Sequence, residues 1–411
     1  MTRLWGCRIF TGSAAEIIEF GQVAFADGKI VEVKSLPADA AVPEFDVENI
    51  DARGMTALPG LIDCEAYLSL DGGVDAYDRR VAVTSTESAF WVIMNAREYL
   101  RRGFTTVRDG GDRDYETIVI RDAIKEGRLI GPKLHCSGPI IRSTCGFGNA
   151  GIECSGPDEA RHAVRKLFQR KVEWVKVIAS SNRQERGKAA VDYPEMLPDE
   201  IRAITAVAQN YKKKVAAHVQ NEESILHCID NGVFSISHGT ELTDRVIDKL
   251  LQVGAWVVPV FSPCARVVSL DGKKSVSEET YRFSAAVMEK KESLFNKAVK
   301  AGVNIAYGSG AGMDLVLPAK ASQEMGYMIS AGMCCGAALE AATSKAAMML
   351  GIEDKTGSLR TGLAADILVV SGNPMEDVRA LSSVRYVFQD GRLMATEKGL
   401  EDVSVKPVIG D

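Results

Sequence analysis

The sequence predicts an α/β fold: a (β/α)8 TIM barrel with a small β-sandwich domain built from both termini. Two observations carry this expectation. Short β-branched runs alternate with helix-period segments through residues 57–346, and strand-rich stretches bracket that region at both ends. A doubly wound open sheet is the runner-up, but no G-x-G-x-x-G follows an early strand.

Residues 1–56 hold apolar runs such as "IIEFGQVAFADGKIVEVKSL", where "ADGKI" is a D-G hairpin signal. Residues 347–411 have the same texture, with "ADILVVSGNP" and "VRYVFQDGRLMA" around a second D-G turn. The two ends are therefore expected to share one β domain, with residues 57–346 as the barrel. The predicted barrel strands are "TALPGLID", "GFTTVRDGG", "KLHCSGPII", "EWVKVIAS", "KVAAHVQ", "VFSISHG", "AWVVPVF" and "VNIAYGSG". Segments such as "PDEIRAITAVAQNYKK" and "EESILHCIDNG" read as the intervening helices.

Composition narrows the function classes. At 411 residues, with 46% hydrophobic and 25% charged residues, the chain can bury a large core. A net charge of −6 argues against nucleic acid as a partner, since that role wants a basic face. No apolar run reaches the ~18–20 residues of a membrane span, and the first 20 residues lack a signal-peptide pattern. Nine cysteines without C-x-x-C spacing read as free thiols of a cytoplasmic protein.

Lys176, His218 and His238 fall at or near the C-terminal ends of the fourth, fifth and sixth predicted strands. Such ends converge on one mouth of a barrel, where active sites lie. His135, His162 and His227 carry no motif.

Several separated motifs, in order, resemble the amidohydrolase superfamily, in particular its imidazolonepropionase and Xaa-Pro dipeptidase-like branch. "ALPGLIDCEAYL" aligns with P-G-x-I-D-x-H-x-H, "EWVKVIAS" with the strand of the carboxylated lysine, and "KVAAHVQ" and "SISHGTEL" with two histidine strands. "EAATSKAAMMLGIEDKTGSLRTGLAADILVVSGNPMEDV" matches the return into the β domain. The resemblance implies one or two divalent metals, commonly zinc, that activate water. Here the H-x-H positions hold Glu65 and Tyr67, Gly310 stands in place of the strand-eight aspartate, and Phe147 replaces a polar loop residue in "TCGFGN".

These departures favour an enzyme without a metal cofactor, running isomerisation, epimerisation, elimination or cyclisation on a small organic molecule. His218, His238, Lys176, Glu65 and Tyr67 would share the acid, base and oxyanion roles. Lys176 and Glu65 could instead form a structural ion pair where the metals would sit. One alternative is a mononuclear zinc hydrolase of a C–N bond, with Lys176 as carbamate, His218 and His238 as ligands. Another is a non-catalytic binding relative. Arg142, Cys145, Phe147 and Asp109 are the expected substrate-binding residues, and Arg183 and Arg186 are further loop cations that could hold a carboxylate. The resemblance also implies a homo-oligomer.

Overall fold

The computed structural model describes residues 1–46, 48–180 and 193–401. Thr2–Phe10 pairs antiparallel with Ile17–Ala26, which hairpins into Lys29–Ser35. The turn is Asp27-Gly28, both at positive φ, as a tight hairpin between twisted strands requires. From the other end, Val384–Gln389 hairpins into Arg392–Thr396 through Asp390-Gly391, again both at positive φ.

The two ends join where Ile367–Ser371 lies antiparallel to Met55–Pro59, with Leu368 opposite Leu58. Three strands separate Ile17–Ala26 from Val384–Gln389 in the sheet order, yet the Phe25 and Phe388 rings are 4.9 Å apart. The sheet therefore curls over on itself. This is the β-sandwich, and Leu4, Ile9, Val23 and Ile367 fill it.

The barrel strands are Leu61–Ala66, Phe104–Asp109, Lys133–Cys136, Trp174–Ile178, Lys214–Val219, Ser235–His238, Trp256–Val258 and Asn304–Ile305. The first three pair in parallel and so do the last five, for example Lys176 with Ala216 and Ala217 with Ile236, and Glu173 N donates to Cys136 O between the two groups. The ring closes as Cys64 N donates to Tyr307 O at 2.9 Å and Gly310 N to Glu65 O at 2.7 Å.

Helices between the strands begin where the sequence caps them. Pro198–Asn210 opens on proline, which has no N–H to leave unpaired, and Asn221 accepts from Ser224 N at 2.7 Å to start Glu222–Asp230. Below the barrel, Ser344–Leu350 packs Ala346, Ala347 and Met349 against Ile62, Trp174 and Trp256. That apolar floor leaves the strand C-termini as the end available for chemistry. No helix among the described residues is long and apolar enough to cross a membrane.

Candidate active site

The first barrel strand ends on a carboxylate that four donors hold. Glu65 Oε1 accepts from Lys176 Nζ at 2.5 Å and from the Tyr67 hydroxyl at 2.7 Å. Its Oε2 accepts from Arg108 Nη2 at 3.1 Å and from Ser237 Oγ at 3.0 Å. A carboxylate has about four lone-pair directions, so Glu65 is saturated. Burial raises its pKa, but Lys176 and then Arg108 outweigh burial and hold the carboxyl far below its usual range. Glu65 is an anion.

Each partner is fixed in turn. Arg108 reaches in from the second strand, donates to Cys64 O at 2.5 Å and lies over the Trp174 ring at 4.7 Å. Lys176 also donates to Ser237 Oγ at 2.6 Å. An ammonium has three N–H groups, so one remains for the pocket that Lys176 lines. Beneath them, buried Asp63 ties the strand end to strand eight, accepting from Ser309 N at 3.1 Å and Glu65 N at 3.0 Å.

The two strands after that of Lys176 carry the histidines. The His218 and His238 rings are 4.4 Å apart, nearly edge to face. His238 has φ +72, a left-handed backbone uncommon outside glycine, which turns it at the end of its strand. Burial, and next the positive charge of Lys176, lower the pKa of His218 to about 3. His238 is also held well below its ordinary value, by burial first and then by His218 and Lys291. Both imidazoles are neutral near pH 7. Among the described residues, buried His218 Nε2 has no hydrogen-bond partner.

Tyr67, Lys176, His218, His238, Phe147 and Lys291 are among the residues lining one pocket of about 70 Å³ at this mouth. All five residues expected to act chemically therefore converge, four of them on the pocket wall and Glu65 behind Lys176. Of the expected binding residues, Phe147 reaches the pocket. Its ring stacks between Tyr77 at 5.5 Å and His218 at 5.6 Å.

Arg142, Cys145 and Asp109 do not line the pocket. Arg142 is turned away onto Glu153 and the Gly146 carbonyl. Cys145 sits at φ +63 on the exposed tip of its loop. Asp109 is buried behind the strand end, accepting from Leu68 N and Gly111 N at 2.9 Å each. Burial, with Asp112 next, pushes its carboxyl up to about 8, so it orders loops as a neutral acid. Arg183 and Arg186 lie outside the described residues. All nine cysteines are free thiols.

The donor set does not suit the metals that the resemblance implies. Glu65 spends every lone pair on protein donors. Gly310 has no ligand atom, and a Cβ built there would lie 2.6 Å from Val260 Cγ1, at φ +65. A carbamate on Lys176 would place a second anion against Glu65 and displace the Ser237 contact. Among the described residues no cluster of three or more His, Cys, Asp and Glu side chains could hold a metal ion.

Three members of the site escape a reading of motifs. Arg108 and Ser237 are betrayed only by strand alternation, Arg108 facing inward with Thr106 and Ser237 with Ser235. Lys291 stands on the inward stripe of its helix, with Ser284, Met288, Phe295 and Ala298 as the other buried positions.

The comparisons agree with this geometry in fold. The model of the amidohydrolase family matches residues 56–394. The chain belongs to the amidohydrolase family. Ochratoxinase of Aspergillus niger is 27% identical over 370 residues, covering 82% of this chain and 75% of that protein. An uncharacterised protein of Mycobacterium bovis is 25% identical over 383 residues, covering 90% and 91%. The crystal structure of an Xaa-Pro dipeptidase with bound methionine in its active site superposes with a TM-score of 0.85 at 29% identity, covering 95% and 99%. This amidohydrolase thus keeps the family's barrel and sandwich.

Proposed function

We propose that this protein hydrolyses a C–N bond in a small amide, lactam or dipeptide. The observation that carries the reading is that a pair of neutral histidines and the Lys176 ammonium, from three successive strands, line one pocket. The named activities of the relatives, an ochratoxinase and an Xaa-Pro dipeptidase, support hydrolysis over the proton-transfer chemistry that sequence alone favours.

The chemistry follows from what each group can hold. The third N–H of Lys176 receives the substrate carbonyl oxygen, and Glu65 and Ser237 fix the direction of that donor. One histidine takes a proton from water as its oxygen attacks the carbonyl carbon. The electron pair moves onto the oxygen beside Lys176. When it returns, the C–N bond breaks and the imidazolium gives its proton to the departing nitrogen. Phe147, backed by Tyr77, covers His218, which keeps the imidazole poorly hydrated.

A second reading, proton transfer without water, draws on Gly310: no carboxylate stands there to orient an attacking water. One experiment separates the two. A panel of dipeptides, N-acyl amino acids and lactams is incubated in ¹⁸O-water and the products are weighed by mass spectrometry. Hydrolysis puts one heavy oxygen into the acid product, and His218→Asn lowers kcat/KM by about 10²-fold or more. Isomeric products without heavy oxygen would overturn hydrolysis in favour of the second reading.

A further inference from the structure

Among the described residues, Lys291 is a buried cation that no carboxylate touches directly. It projects from Glu278–Ala301, the long helix before the last barrel strand, at a position where a heptad-like stripe of Met288, Phe295 and Ala298 packs inward. Its side chain is 3% exposed. Among the described residues its Nζ makes one hydrogen bond, to the Val260 carbonyl at 3.0 Å, and no carboxylate lies within ion-pair distance. The nearby acid, Glu324, faces backbone instead: it accepts from Phe261 N and Ser262 N at 2.7 Å each, and from Ser262 Oγ at 2.5 Å. The Phe261 ring beneath Lys291 Nζ, at 4.8 Å, offers only its π face.

A buried charge without a partner is strongly unfavourable, and a structural lysine would be expected to find a carboxylate. Lys291 lines the same pocket as His218 and His238. Among the described residues nothing else takes its two remaining N–H groups, and His218 Nε2, on the same pocket, is also unpaired. Two unsatisfied polar groups on one small pocket point to a ligand that satisfies both.

We propose that Lys291 anchors a carboxylate of the substrate, so that the pocket selects N-acyl amino acids and related acids over neutral amides. The inference rests on the hydrolase reading and adds to it the charge of the substrate. The scissile carbonyl would face Lys176, and the carboxylate would lie toward Lys291, with the two histidines between. Burial, opposed in part by Cys264 and Glu324, holds the Lys291 amine below its ordinary pKa. An arriving carboxylate would favour the charged form.

The test is binding, independent of turnover. N-acetylglycine and N-acetylglycinamide, which differ in the carboxylate, are titrated into the full-length protein by calorimetry at fixed ionic strength. The wild type is expected to prefer the acid by about tenfold or more. Lys291→Met should level the two affinities. Lys291→Gln should do the same, although it keeps a donor for the Val260 carbonyl, which separates charge from anchoring of the turn. A wild type that does not prefer the acid, including one that binds neither probe, overturns the proposal, as does a preference that survives in Lys291→Gln. If Lys291→Met fails to fold, the wild type and Lys291→Gln decide. A preference for the acid without amide hydrolysis would sink the reaction and leave the anchor standing. Hydrolysis of neutral amides without that preference would do the reverse.

Discussion

Lys176 Nζ lies 2.5 Å from Glu65 Oε1 at the centre of the barrel mouth, and Arg108 holds the other oxygen of the same carboxylate. One anion thus serves two buried cations, and the arrangement makes their removal unequal.

Glu65→Gln leaves both Lys176 and Arg108 uncompensated and should destabilise the fold by about 3–5 kcal/mol. Lys176→Met leaves Glu65 paired with Arg108 and should cost less. Urea melts of the two variants and the double variant check this. Equal losses would mean that Arg108 does not share the charge.

Protein purified without chelators should carry well below one equivalent of zinc by elemental mass spectrometry, and its thermal midpoint should not move on adding a chelator. The saturated lone pairs of Glu65 and the bare Gly310 are the reason. Stoichiometric zinc, with stability lost to the chelator, would require Lys176 to leave Glu65.

Gly310→Asp should not rebuild a metal site. The new side chain meets Val260 Cγ1 at φ +65, and the variant should lose about 2 kcal/mol without gaining zinc. Zinc uptake at wild-type stability would contradict the packing described.

Stability should also respond to acid through His218. Its pKa is near 3 in the fold against an ordinary 6.5, so the unfolded chain binds more protons between those values. The native state therefore loses about 1.4 kcal/mol per pH unit as pH falls below 6.5, and gains nothing above 7. Relative to His218→Asn, the wild type should lose about 2 kcal/mol between pH 6.5 and 5. A difference that does not change with pH would place the imidazole in water.

Periodicity governed how far the sequence could be read. Lys176, His218 and His238 stand out because β-branched runs deliver them to strand ends, and the barrel makes those ends meet. The D-G turns at Asp27 and Asp390 were legible for a similar reason: two left-handed residues in a row leave few choices of residue. Asp109 misleads because it is the last residue of its strand, whereas alternation sends its neighbour Arg108 inward. Arg142 and Cys145 belong to a loop whose direction depends on Glu153 and on a left-handed turn, neither of which leaves a periodic trace. Lys291 was readable in principle, as a charge on a mostly apolar stripe.

The antiparallel seam between Met55–Pro59 and Ile367–Ser371 has a consequence for synthesis. On the ribosome, the strands made first must wait for those made last, with the whole barrel between them. Until then Met55–Pro59 keeps an unpaired edge, the kind of surface on which strands of other chains can add. Truncation before Ile367 should therefore yield aggregation during expression rather than a soluble barrel.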